Sequence, residues 1–182
     1  MGRVAIVVFA LTVGSVLATA QGRQQKGDAM ALHLESPAFQ PGGAIPKEFA
    51  CEGPDHSPAL QWSNAPENTR SFVLIVDDPD APVGTWVHWV VYDLPAGTKS
   101  LPQGVSKSEK LQGGGVQGKN DFKRIGYGGP CPPPGKPHRY FFKLYALDTE
   151  LNLKPGAKKA EIEQAMHGHI LANAELMGTY GR

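Results

Sequence analysis

Ser71-Phe-Val-Leu-Ile-Val-Asp-Asp-Pro-Asp-Ala-Pro82, with Trp86-Val-His-Trp89 just beyond it, is the stretch from which the fold can be read. Phe72 to Val76 are apolar without alternation, the pattern of a short strand covered on both faces. Trp86 to Leu94 repeats it, rich in Val, Trp and Tyr, and Tyr140-Phe-Phe-Lys-Leu-Tyr-Ala-Leu147 is a third strong strand. Three buried strands joined by Pro/Gly-rich connections predict a mainly β fold, a sandwich or a mixed sheet. Working outward, Ala31-Leu-His-Leu34 alternates as a strand. Near the other end Ile162, Met166 and Ile170 recur every four residues after the Pro155-Gly156 break, which predicts a helix with one face on the core. Gly168 weakens that helix by about 1 kcal/mol relative to Ala, so one helix with a bend, or two short C-terminal helices, are expected. Glu175 to Tyr180 is expected to return as a short edge strand.

The N-terminus carries one early positive charge, Arg3, then an apolar run from Val4 to Leu17 that closes on Ala18-Thr-Ala20. A short apolar run before a small-x-small site reads as a cleavable signal peptide over residues 1–20, with cleavage after Ala20. It falls short of the roughly 20 apolar residues a spanning helix needs. Residues 21–28 are polar and read as a leader, and 29–182 as a single domain, enough chain for one proper core. The product is expected to be secreted or periplasmic, with no integral membrane segment after cleavage. The whole chain has 18 basic and 17 acidic side chains, and loss of Arg3 balances them. With no basic block, nucleic acid and anionic membrane surfaces have no electrostatic support as partners.

The residues capable of chemistry gather at strand ends. In Asp77-Asp-Pro-Asp-Ala-Pro82 the prolines stiffen the turn, and alternation sends Asp78 and Asp80 to one side. Such clusters also serve simply as turns. His88 lies between Trp86 and Trp89 in a strand otherwise too apolar for an imidazole, and a buried imidazole needs a partner; Asp78 is the natural candidate. His138 stands at the mouth of another core strand. Two histidines and two carboxylates could converge, but no H-E-x-x-H or C-x-x-C spacing supports a metal, and no G-x-S-x-G elbow supports a nucleophile. No catalytic residue, metal or cofactor is therefore expected. In Gly126-Tyr-Gly-Gly-Pro-Cys-Pro-Pro-Pro-Gly135 the glycines would let backbone N–H groups approach a ligand, or the loop is merely a rigid structural one. The glycine-rich stretch 101–121 reads either as a lid or mobile excursion, or as a plain surface loop. Cys51 and Cys131 either pair or stay separate as buried thiols. Paired, they would close a loop of about 80 residues, rated at roughly 4–5 kcal/mol at most.

Taken together, Cys51-Glu-Gly53 with Ser57-Pro58, Asp78-Pro-Asp-Ala-Pro82, Trp86-Val-His-Trp89, Gly126 to Pro133 and His138-Arg-Tyr140 resemble the signature segments of the phosphatidylethanolamine-binding protein family. The likeness is strongest to its bacterial branch, the Raf kinase inhibitor-like proteins, and spans nearly the whole mature chain. It implies two packed, largely antiparallel sheets bearing a small pocket for phosphate, acetate or a phosphoethanolamine head group. Carried over by motif, the ligand-binding set is Asp78, Pro82, Trp86, His88, Pro130, Pro132, His138 and Tyr140. The histidines and loop N–H groups would hold a phosphate, while the acid would take a ligand amine or orient a histidine. Exported members of that branch also share the paired cysteines, which supports a Cys51–Cys131 disulfide. This chain departs from the animal members in having Val87-His88 where they have two histidines. Outside the cytoplasm the kinase inhibition in the family name has little meaning. The leading expectation is thus a non-catalytic protein binding a small anionic or phosphorylated ligand. A hydrolase of phosphoesters or small amides using His88 and Asp78 is the second reading. An interaction module engaging an extracytoplasmic protein through 101–121 is the third.

Overall fold

The computed structural model describes residues 1–2 and 31–182; the expected leader and all but the first two residues of the expected signal peptide lie outside the described residues. Strands β1 (His33–Glu35), β2 (Leu60–Ser63) and β5 (Ser100–Leu101) form a small antiparallel sheet in the order β1-β2-β5. Strands β3 (Ser71–Asp78), β4 (Trp86–Pro95), β6 (Val116–Gln117), β7 (His138–Leu147) and β8 (Ile170–Tyr180) form a larger one, ordered β6-β4-β3-β7-β8 and antiparallel throughout. The architecture is the expected mainly β one of two packed sheets.

The unbroken apolar run of β3 follows from its place at the centre of the large sheet. Successive side chains point to opposite faces. Phe72, Leu74 and Val76 enter the core between the sheets with Leu34, Leu60 and Trp62. Val73 and Ile75 enter a second core on the far face, with Ile162 and Met166 of the helix α1 (Lys159–Met166). All eight residues of β3 are buried. At its end the alternation splits two adjacent acids: Asp77 turns to the helix side and Asp78 to the side of the intersheet core. Asp77 is fully buried and held by Lys143 Nζ at 2.8 Å and Lys159 Nζ at 2.9 Å. This ion pair ties α1 to the sheet.

The C-terminal expectation needs correction. Helix α1 begins where the Glu161 carboxylate accepts the Lys158 N–H at 2.8 Å, and it ends at Met166. Gly168 takes φ +83°, a left-handed conformation that stops a helix rather than bending it. Ile170 lies beyond the stop and opens β8, so it never joins the helical stripe. One short α-helix is formed among the described residues, the lower of the two expected numbers. The expected short edge strand over 175–180 is the second half of an 11-residue strand paired with β7 from Leu147↔Ile170 to His138↔Tyr180.

The 101–121 connection is pinned from within. Gln117, fully buried, accepts the Trp89 indole N–H at 2.7 Å and donates to the carbonyls of Ser106 and Ser108 at 2.7 and 2.6 Å. One buried amide thus satisfies a core tryptophan and two loop carbonyls, while residues 102–104, 106–110 and 112–114 around it stay exposed.

Candidate functional site

At the ends of β3, β4 and β7 the chain forms an open-mouthed cavity of about 220 Å³. Asp78, Pro82, Trp86, His88, Pro132 and His138 line it, as the motif positions imply. Register explains the convergence: Asp78 pairs with Trp86, and β7 enters beside β3 on its other edge. Asp78, Trp86 and His88 therefore share a face, and His138 opens the next strand.

The partner expected for His88 is wrong. Asp78 Oδ2 accepts the Nδ1–H of His138 at 2.8 Å, while Asp78 Oδ1 accepts the Asp80 backbone N–H at 2.8 Å. His88 instead donates its Nδ1–H to the Gly128 carbonyl at 2.6 Å. Asp78 sits between two neighbouring strands, each bringing a histidine near it, and the loop carbonyl claims one of them. Burial pushes the His88 imidazole below its ordinary pKa, so near pH 7 it is neutral, with Nε2 as an acceptor. His138 keeps Nε2 as the ring nitrogen not engaged by Asp78.

Asp80 leaves the site altogether. It forms a forked pair with Arg139, Nε at 2.8 Å and Nη2 at 2.7 Å, and that guanidinium holds its carboxyl well below the usual range. Tyr140 and Pro130 stand behind the lining rather than in it. The Tyr140 ring meets His88 edge-on at 5.1 Å, and burial holds its hydroxyl far above the ordinary range. The Pro130 carbonyl accepts the Cys51 N–H at 3.0 Å.

The glycine N–H groups expected to face a ligand are consumed internally. Gly128 N–H donates to the His88 carbonyl at 2.9 Å, and Gly129 N–H to Asp55 Oδ1 at 2.6 Å. These positions are glycine because the loop is pressed against the chain: a Cβ on Gly128 would stand 2.7 Å from the Phe122 ring, and one on Gly129 would strike the Phe49 carbonyl. Prolines 130, 132, 133 and 134 have no N–H at all. The wall is accordingly stiff and poor in donors.

Cys51 and Cys131 are bonded, with Cα atoms 5.4 Å apart, so the expected disulfide is present and Cys131 itself lines the cavity. Arg182 adds a third tie, its Nε donating to the Pro132 carbonyl at 2.6 Å.

Sequence reasoning missed Phe122. Its ring lines the cavity, meeting Trp86 edge-on at 5.4 Å and His88 at 5.3 Å, while Arg124 lies over it at 5.4 Å. A lone aromatic in the polar run 119–124 was the available signal. Asn120 and Asp121 place it: Asn120 Nδ2 donates to the Gly126 carbonyl at 2.8 Å, and Asp121 Oδ2 accepts the Val87 N–H at 2.7 Å. Trp86 lines the cavity, and its buried indole N–H has no hydrogen-bond partner among the described residues.

Residues 35–181 match the family model for phosphatidylethanolamine-binding protein. The chain belongs to that family. Among curated relatives, a UPF0098 protein of Aquifex aeolicus is 52% identical over 153 residues, covering 83% of this chain and 89% of its own. Another UPF0098 protein, from Methanothermobacter thermautotrophicus, is 47% identical over 151 residues, covering 83% and 99%. Of solved structures, CT736 of Chlamydia trachomatis superposes with a TM-score of 0.77 at 44% identity, over 84% of this chain and 98% of its own. Escherichia coli YbcL, described as a member of the mammalian PEBP family, gives a TM-score of 0.79 at 36% identity, over 84% and 99%. The family fold thus holds for this chain.

Proposed function

We propose that this member of the phosphatidylethanolamine-binding protein family is an extracytoplasmic, non-catalytic protein that binds a small phosphorylated anion in the Asp78/His138 cavity. The observation that carries the reading is the spent and unspent hydrogen-bonding capacity around that cavity. Asp78 occupies Nδ1 of His138 and orients the ring, which leaves Nε2 for a ligand. The unpartnered Trp86 N–H supplies a second donor. The neutral His88 supplies an acceptor, suited to a phosphate oxygen that still bears its proton. A volume of about 220 Å³ suits a head group or a phosphate rather than a larger molecule. The disulfide supports a location outside a reducing cytoplasm.

Titration of the mature protein with inorganic phosphate and phosphoethanolamine, followed by NMR, tests this. The ring signals of His88 and His138 and the Trp86 indole N–H should move together and saturate. No movement at millimolar ligand would refute the pocket. Steady release of phosphate from phosphoesters, abolished by His138→Ala, would replace binding with hydrolysis. N-terminal sequencing of protein recovered from the culture medium or periplasm should begin at Gln21 if the signal peptide is cleaved as expected.

A further inference from the structure

The Asp78/His138 cavity is layered by chemistry. Its three titratable lining residues, Asp78, His88 and His138, are all buried and form the floor. The mouth is apolar: Pro82, Val83 and Pro133 are exposed there, and Ala81 and Phe122 are half-buried. Val83 is 78% exposed and stands third in the turn Ala81-Pro82-Val83-Gly84, which the Gly84 N–H closes on the Ala81 carbonyl at 3.0 Å. Pro82 stiffens the second position of that turn, and the third more often carries Gly, Asn, Asp or Ser. A valine there buries little within the fold, yet it lines the cavity.

The acids near the cavity are already engaged. Asp78 is the one acid in the lining among the described residues, and its oxygens take His138 Nδ1–H and the Asp80 N–H. A phosphoryl group at His138 Nε2 therefore lies across the imidazole ring from that carboxylate. Asp80, two residues on, is forked to Arg139. A cationic group leaving the phosphoryl towards the mouth would meet Val83, Phe122 and Pro133 without a free carboxylate, and would lose hydration against apolar surface. An apolar group would gain from the same contact.

We infer that the site selects phosphate monoesters whose alcohol part is short, apolar and uncharged, with the phosphoryl on the floor at His138 and the alkyl group on the Val83/Phe122 collar. This rests on the phosphate reading above and gives its ligand a class. It ranks a plain alkyl ester above the ethanolamine ester for which the family is named.

Propyl phosphate and phosphoethanolamine test it, because they match in heavy-atom count and differ in carrying a methyl or an ammonium at the end. Calorimetry at about pH 5, where each phosphoryl keeps one proton, holds the phosphoryl charge constant. Propyl phosphate should bind at least tenfold tighter than phosphoethanolamine. It should bind roughly four- to fifteenfold tighter than methyl phosphate, the span between half and full burial of two methylenes. Val83→Ser should cut that propyl-to-methyl ratio by at least half, whereas Ile170→Ser, at an exposed apolar position on β8, should leave it as it is. Phosphoethanolamine binding as tightly as propyl phosphate, or a ratio indifferent to Val83→Ser, would overturn the inference and leave the phosphate site standing. Sedimentation with phosphatidate vesicles in the absence of any propyl preference would overturn it in favour of a lipid surface. Failure of the phosphate reading itself would look different: neither inorganic phosphate nor methyl phosphate would bind, and the inference would fall with it.

Discussion

Asp78 and His138 are joined at 2.8 Å across neighbouring strands, with 4% and 11% of their side chains exposed. Both carboxylate oxygens are engaged: one takes the imidazole, the other the Asp80 N–H. Replacing Asp78 by Ala removes both acceptors and leaves a buried ring nitrogen unpaired. The expected cost is about 1–3 kcal/mol in urea unfolding, with loss of saturable phosphate binding. Wild-type phosphate affinity in a folded Asp78→Ala protein would show that His138 needs no orienting acid.

The buried His88 makes stability depend on pH. Its folded-state pKa is lowered, chiefly by burial. As pH falls below the ordinary histidine value of about 6.5, the unfolded chain takes up a proton that the folded chain refuses. Stability therefore declines from that point down to the folded-state pKa and is flat above the ordinary value. His88→Asn, whose amide can still donate to the Gly128 carbonyl, should remove this component when denaturation midpoints at about pH 7.5 and pH 5 are compared. An unchanged slope would locate the pH dependence elsewhere.

Phosphate binding should strengthen as pH falls from above neutrality towards the range where the anion carries a further proton. The neutral His88 Nε2 accepts from a phosphate oxygen that bears its proton and gains nothing from one that does not. Calorimetry in two buffers of different ionisation enthalpy should detect proton uptake on binding at pH near 7. Proton release would contradict the proposed donor arrangement.

Reduction of Cys51–Cys131, or its replacement by two serines, should lower stability by at most about 4–5 kcal/mol, since the bond closes a separation of 80 residues. The Arg182 and Cys51 hydrogen bonds to the proline loop remain, so the sheets should stay folded while ligand binding weakens. Near-UV circular dichroism and a phosphate titration of the serine variant, run side by side, check this.

Asp77 predicts an asymmetry. Removing it with Asp77→Ala strands two ammonium groups over a buried surface and should cost about 3–5 kcal/mol. Lys159→Met leaves Lys143 paired with the same carboxylate and should cost far less. Equal losses in urea unfolding would show that helix docking, rather than the buried charge, dominates.

The three central strands were legible because packing on two faces demands apolar residues at every position, and Phe72 to Val76 could be little else. The full length of β8 was not. Ala172, Asn173, Ala174 and Glu175 have weak strand propensity, and the pairing with β7 that forms them is a tertiary effect. The four-residue spacing from Ile162 ran on to Ile170 by coincidence, across a glycine whose left-handed backbone had already ended the helix. At the site, the motif positions gathered as implied, but partner assignments did not follow. Which histidine Asp78 holds depends on what the Gly128 carbonyl takes, a contact between residues 40 apart in the chain. Gly128 and Gly129 were read as making room for a ligand, when the room is filled by Phe122 and by the backbone at Phe49 and Ala50.

The neighbouring acids at the end of β3 bind two tasks to one register. Asp77 anchors the helix and Asp78 orients the site, and they are told apart only by the face each points to. A slip of one residue would seat Val76 where Asp77 belongs, leaving two lysines without their counter-charge, or Pro79 where Asp78 belongs, leaving His138 without its acceptor. A chain misregistered in this strand would thus lose either the anchor of its helix or the orientation of its site. Stability and site are set by the same register.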